Sequence, residues 1–385
     1  MSQIEWLVSL SGEIGTKRPG TQRDFVRLVW ETLASRGSAL GLSFQLEEQE
    51  NRFLVKGPAN LERLLLSHFG LGKVARLFRL SPDNPKVPEE ILPKRPFTYV
   101  VYVDRVHPRR LWSEALAFKK TLLAQLGTEA RKRLENAWDN YPPERLELRL
   151  EVKEGKFWLL VNPKAAPGGL PVGSGEKVLL LFSGGPDSLL AGYLLGRRGQ
   201  EIGLIFFDDE VQGRRAKVKH IGQALAYFFP EMRLKFWVQP YRKILEELAR
   251  EVPKRERCLF CKRLMLHLAI RLAEKEGFSA VATGEILGEQ ASQTLPILSF
   301  LDQGLPLTIL RPVLTFTKEE IFQTLERIGL REGARLGLPK CPFSPKHPHT
   351  RPRKPPAEVD RFWSRVKKLC PPPKKMVLSF EGGSL

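Results

Sequence analysis

The feature that most constrains this chain is a continuous apolar run, VLLLF over 178–182, that stops at Ser183-Gly184-Gly185-Pro186-Asp187-Ser188 and turns at once into the helical pattern LLAGYLLGRRG. A run without polar alternation is a strand buried on both faces, and such strands occur in parallel sheets covered by helices. The alternation recurs downstream: apolar runs at 202–207, 234–238, 280–283 and 307–313 are separated by helical segments. The pattern predicts an α/β fold built on a doubly wound parallel sheet.

Upstream of the run, NPKAAPGGLPVGSGEK over 162–177 is rich in Pro and Gly and has no hydrophobic period, which marks a linker. Before it the pattern is α+β. A strand is expected over 4–11, a helix over 21–37 with Thr21 as cap and Gly37 as stop, a hairpin over 43–57 and a helix over 61–70. After a Pro-rich joint near 82–96 come a strand over 97–106, a helix over 110–125 and a hairpin over 144–162 turning at Glu154-Gly155. The tail from about 340 is Pro- and Lys-rich and is expected to drape over the surface.

The 385 residues carry a net charge of +19. A chain this basic points to an anionic partner, nucleic acid first, with charge for solubility as the plainer alternative. The N-terminus lacks a secretory pattern, and no apolar run approaches the roughly 20 residues that span a bilayer. The expectation is a cytoplasmic protein without membrane association. The sequence leaves a homodimer open. Its 4 cysteines are too few for a disulfide framework, so clustered ones read as metal or redox ligands.

The loop after the first buried strand suits phosphate. Gly184 and Gly185 allow close backbone approach, Ser183 and Ser188 offer hydroxyls, and the helix N-terminus favours an anion. Asp187 would repel phosphate unless a divalent cation joins them, which implies Mg²⁺. The loop lacks the Gly-Lys-Ser/Thr of a Walker A loop and the spaced glycines of a dinucleotide fingerprint. An ordinary strand–turn–helix joint is the competing reading.

Ser183-Gly-Gly-Pro-Asp-Ser188 resembles the SGGxDS motif of PP-loop ATP pyrophosphatases, which adenylate their substrates. Together with SGEIGTKRPGTQRDF (11–25), TGEILGEQASQT (283–294) and CPFSPKHPHTRP (341–352), it makes the chain similar to the tRNA 4-thiouridine synthetase family over nearly its whole length. The resemblance implies a ferredoxin-like domain over 1–80, a THUMP RNA-binding domain over 81–170 and a PP-loop domain over 171–385. It implies ATP contacts at Leu181, Phe182, Phe206, Phe207, Lys262, Gly284 and Gln293, beside the loop residues themselves, with tRNA as substrate and the uridine at position eight as target. The chain departs from the family at Pro186, where a larger apolar residue is usual. It departs again at Phe206-Phe207-Asp208-Asp209, where the family has a His-Phe-His-Ser-like stretch. Arg311-Pro312 reads as a structural turn in preference to a phosphate contact. An inactive loop on a tRNA-binding module, or thiolation of another base, are the rival readings. A methyltransferase is disfavoured, because no GxGxG loop follows a strand.

Cys258-Leu-Phe-Cys261 stands just before a helical pattern at 262–277, and Cys341 lies in the tail motif. Three readings stay open: an iron–sulfur cluster on Cys258, Cys261 and Cys341, a structural Zn²⁺ on all four cysteines, and a persulfide carrier or transient disulfide. The helix dipole and nearby cations are expected to lower the thiol pKa values. Cys258, Cys261, Cys341 and Asp187 are therefore the expected catalytic residues. Ending at Leu385, the chain has no room for the rhodanese-like domain of some relatives, so sulfide or a sulfur-donor protein is the expected source. Cys370 reads as incidental, His347 and His349 as exposed loop residues, and His220 and His267 as packing or surface residues. Trp363 is the one aromatic marked as a candidate for base stacking.

Overall fold

The computed structural model describes residues 3–49, 52–135, 143–290, 292–331 and 341–381. The turn of the hairpin expected over 43–57 and Ala291 of the 283–294 segment lie outside the described residues. The chain forms two compact units, one of residues 1–18 and 40–168, the other of 19–39 and 169–385.

In the first unit the elements are β1 (Ile4–Leu10), α1 (Gly12–Gly15), β2 (Gln45–Gln49), β3 (Arg52–Gly57), α3 (Leu61–Leu66), β4 (Leu71–Leu80), β5 (Phe97–His107), α4 (Trp112–Glu135), β6 (Glu144–Lys153) and β7 (Lys156–Ala165). One seven-stranded sheet, ordered β2-β3-β1-β4-β7-β6-β5, runs through them, so segments 1–80 and 81–170 share it. Only β5 and β6 pair in parallel there. α4 places Ala115, Phe118, Leu122 and Leu126 on one stripe, the spacing of a helix packed on a sheet, and buries them in a core with β5–β7.

The helix α2 (Pro19–Ala39) belongs to the second unit. It runs past Thr21 and through Gly37, so neither the expected cap nor the expected stop acts as one. Packing overrides the local signal. Arg36 is fully buried and donates to Tyr227 O at 2.9 Å with its guanidinium over the Tyr227 ring, which holds the last turn helical across the glycine.

The rest of this unit is β8 (Lys177–Leu181), α5 (Pro186–Arg197), β9 (Glu201–Asp208), α6 (Arg214–Ala226), β10 (Arg233–Pro240), α7 (Arg242–Glu251), α8 (Arg257–Glu276), β11 (Ala280–Ala282), α9 (Leu295–Asp302), β12 (Thr308–Leu310), α10 (Lys318–Arg327), α11 (Pro356–Val366) and β13 (Lys374–Ser379). The sheet order is β12-β11-β8-β9-β10-β13. The first five strands are parallel, and β13 closes the edge antiparallel to β10. The expected α/β doubly wound architecture is therefore present with one antiparallel edge strand, a common variation. The tail does not simply drape. Val359, Phe362, Trp363 and Val366 of α11 enter the core that α8 lines, and Leu378 of β13 is fully buried. Strand β12 ends at Leu310, because Leu314 N returns to Arg311 O at 3.2 Å in a turn containing Pro312.

From β8 the chain moves to β9 and β10 on one side, then to β11 and β12 on the other. The crevice between the C-terminal ends of β8 and β11 is the switch point, where open α/β sheets bind ligands.

Candidate active site

The loop 183–188 lies at that switch point. Gly185 caps α5, and Pro186 occupies its first position, where a missing N–H costs no helical bond and a fixed φ is already suitable. The departure at Pro186 is thus accommodated by the backbone. Ser183 Oγ accepts from Gly185 N at 3.3 Å and lies 3.2 Å from Ser188 Oγ, while Ser188 Oγ donates to Gly185 O at 3.0 Å. Gly184 has φ +76°, and a Cβ there would meet Val218 of α6 at 3.0 Å. The closest packing is at Gly284, just after β11: a Cβ would stand 2.6 Å from Ser188 N and 2.8 Å from Asp187 C. Glycine at 284 lets the two segments of the crevice touch.

Beside the loop is a cavity of about 340 Å³ lined by Leu181, Phe182, Ser183, Ile205, Phe206, Phe207, Arg214 and Met265. It brings together Leu181, Phe182, Phe206 and Phe207, all named from the sequence. Phe206 lies near-parallel to Phe236 at 6.5 Å, and Phe207 meets Tyr241 edge-on at 5.2 Å. Gln293 is buried, and its Oε1 has no hydrogen-bond partner, which suits a ligand donor. The aspartates of the departing stretch turn toward arginines: Asp208 accepts from Arg215 Nε at 2.6 Å, and Asp209 pairs with Arg214.

Asp187 is held by a residue that the sequence reading missed. Lys318 Nζ donates to both its carboxylate oxygens, at 2.7 and 2.6 Å. The Thr317–Glu320 capping box, legible in the sequence, fixes Lys318 at the first position of α10. Its partner 131 residues away is not legible. The lysine orients this carboxylate beside the loop, and one carboxylate with phosphate oxygens fits the way proteins usually bind Mg²⁺.

Lys262 meets Glu285 Oε1 at 2.8 Å and Ser292 O at 3.4 Å. Glu285 also accepts from Arg311 Nε at 2.9 Å, and Arg311 binds Asp302 through both terminal nitrogens at 2.8 and 2.7 Å. Burial would raise the Glu285 pKa, but Lys262 and Arg311 outweigh it and hold the carboxyl below its ordinary range. Arg311 is thus tied to Glu285 and Asp302, and Glu285 is a second residue absent from the sequence reading.

Cys258 and Cys261 lie inside α8, whose first residue is Arg257, so they are one helical turn apart on one face. The expectation of lowered thiol pKa values is overturned. Burial pushes Cys258 up, and pushes Cys261 up to about 12, against the influence of Lys262. Desolvation of a thiolate outweighs the helix end and the cations. Cys341 is exposed and lies near both other thiols. Among the described residues no three His, Cys, Asp or Glu side chains converge as ligands of one metal ion. Neither a zinc ion nor a cluster has an assembled ligand set among the described residues, and the soft thiols suit both chemically. Tyr241 donates to Cys261 O at 3.0 Å, and Cys261 Sγ lies 3.9 Å from Met265 Sδ. Since Met265 lines the cavity, its side chain links that thiol to the cavity wall.

The remaining candidates sort simply. His267 binds Asp360 at 2.8 Å and stacks on Trp363, whose ring is buried, so both are packing residues. Arg255 Nε donates to His347 O at 3.0 Å and His349 N to Arg255 O at 3.1 Å, backbone contacts that leave both histidines as loop residues. His220 is exposed, and Cys370 packs at the edge of the α8 core. No helix among the described residues is long and apolar enough to cross a membrane.

A mostly parallel sheet with a serine–glycine loop at its switch point and an apolar cavity alongside places the second unit in the doubly wound α/β class. The chain belongs to the ThiI family, described as thiamine biosynthesis protein, whose profile matches residues 173–366. It is 29% identical over 353 residues to a probable tRNA sulfurtransferase of Anoxybacillus flavithermus, covering 89% of this chain and 88% of that one. A protein of the same description from Thermus thermophilus is 37% identical over 220 residues, 54% of each chain. Among solved structures, a 4-thiouridine synthetase–RNA complex with bound ATP matches with TM-score 0.72 and 24% identity, covering 98% of this chain and 100% of that one. A Pyrococcus horikoshii protein matches with TM-score 0.56 and 18% identity over 85% of this chain and 99% of its own. Both structural likenesses establish the fold.

Proposed function

We propose that this chain is an ATP-dependent tRNA sulfurtransferase that adenylates the C4 carbonyl of a uridine, at position eight, and replaces its oxygen with sulfur. Membership in a family whose relatives are described as tRNA sulfurtransferases supports the reading. The observation that carries it is the adjacency of loop, cavity and thiol: Ser183 and Met265 wall the same cavity, and Met265 touches Cys261.

The nucleotide base would enter the cavity between Phe182, Phe206 and Phe207, with the phosphates on Ser183, Gly184, Gly185 and Ser188. The amides of the first turn of α5 have no helical acceptor and would stabilise charge developing on pyrophosphate. Mg²⁺ would be held by Asp187 and phosphate oxygens, supplying charge neutralisation. Lys318 would hold that carboxylate toward the phosphates. The uridine O4 attacks the α-phosphorus, pyrophosphate leaves, and AMP later departs from C4 as sulfur takes its place. Cys258, Cys261 and Cys341 would hold an iron–sulfur cluster, which supplies an open iron for sulfide; sulfide or a donor protein is the source. Segment 81–170, read as a THUMP domain, would hold tRNA with the ferredoxin-like 1–80 segment, chiefly through backbone and shape.

The test is pyrophosphate release from ATP with unmodified tRNA, combined with nucleoside mass spectrometry of a deletion strain. Release that requires tRNA, and loss of 4-thiouridine in the strain, are expected; Asp187→Ala should abolish release and keep tRNA binding. Intact 4-thiouridine in the deletion strain would refute the reading.

A further inference from the structure

The nucleotide cavity has one charged lining side chain among its described residues, Arg214; the others are apolar or, in Ser183, neutral. Position and orientation of that guanidinium are set by three features. Gly213, with φ +75°, turns the chain into α6 and makes Arg214 its first residue. Asp209, 3% exposed, pairs with Arg214 and accepts from Val211 N at 3.4 Å, so the same carboxylate shapes the turn and aims the arginine. Val218 lies one turn further along α6 on the same face and packs over Gly184. Arg214 therefore projects from the face of α6 that covers the loop, at the cavity's edge, and is itself largely buried, with its side chain 11% exposed.

A guanidinium at the edge of a mostly apolar cavity next to a phosphate loop offers an anion a charge-assisted hydrogen bond that few waters screen, with the Asp209 carboxylate offsetting part of its charge. A nucleotide with its base in the cavity and its terminal phosphates on the loop must carry its first phosphate across the edge between them. We infer that Arg214, aimed by Asp209, binds the α-phosphate of the nucleotide, with the aspartate as a positioning residue. This rests on the nucleotide reading above and extends it to a residue paired with Asp209, which lies in the stretch where the chain departs from its family.

The experiment measures Kd for ATP, AMP and adenosine by calorimetry, on the full chain and on Arg214→Gln and Arg214→Lys. The Gln variant should weaken ATP and AMP about tenfold or more, the effect of one charge-assisted hydrogen bond, and leave adenosine within about twofold. The Lys variant should recover part of the loss for ATP and AMP only. Equal weakening of all three ligands would make Arg214 a packing residue and overturn the inference, as would unchanged ATP and AMP binding. Failure of the unaltered protein to bind ATP would overturn the nucleotide reading itself, an outcome distinct from the other two.

Discussion

Gly284→Ala tests the contact on which the crevice depends. The new Cβ would lie 2.6 Å from Ser188 N and 2.8 Å from Asp187 C and Ser188 Cα. Ordinary contact needs about 3.5 Å, so the two segments must part by almost 1 Å. All three opposing atoms are backbone in the first turn of α5, so no side chain can swing away. Overpacking of this kind costs roughly 1–3 kcal/mol. For a unit of this size that lowers Tm by roughly 2–4 °C per kcal/mol. The displacement moves Ser188 and Asp187 relative to Ser183, so ATP affinity should fall roughly tenfold to a hundredfold. Gly185→Ala is the comparison: its Cβ meets only Ser183 Oγ, at 3.4 Å, and φ there is −77°. That variant should melt within about 1 °C of the parent. Thermal melts and calorimetric titration with ATP give both readouts. If Gly284→Ala melts and binds ATP like the parent, the loop and the end of β11 are not in contact and the reasoning fails.

Three further outcomes are expected. Lys318→Met removes the donor to both Asp187 oxygens and should cut tRNA-dependent pyrophosphate release by about a hundredfold, with the melting temperature nearly kept because the pair is partly exposed; this is read by a pyrophosphate assay beside a melt. Glu285→Gln leaves Lys262 and Arg311 without their shared carboxylate and should cost about 3 kcal/mol at neutral pH in urea unfolding. Because the folded-state pKa of Glu285 is depressed, that difference should be complete above the unfolded value of about 4.3 and vanish as pH falls through the folded value below it; a difference independent of pH would refute the ionic account. Anaerobically purified protein should contain iron and sulfide, lost on replacing Cys258, Cys261 or Cys341 by Ala and kept in Cys370→Ala; elemental analysis showing one equivalent of zinc and no iron would refute cluster ligation.

The sequence by itself determined what depends on neighbours along the chain. Runs such as 178–182 and 202–207, bounded by Gly-rich turns, read as buried strands, and the Ser-Gly-Gly-Pro-Asp-Ser turn reads as a sharp loop into a helix, because hydrophobic period and backbone freedom are local properties. The Thr317–Glu320 box was local too, and set where Lys318 would begin a helix. Tertiary structure decided what depends on residues far apart. It brought Lys318 to Asp187 and Glu285 between Lys262 and Arg311, since charge pairing across strands leaves no spacing signal. It carried α2 through Gly37 into the second unit, because burying Arg36 against Tyr227 outweighs a weak helix stop. It also reversed the expected acidity of Cys261, because the sequence shows the cations beside a thiol but not the removal of water from it.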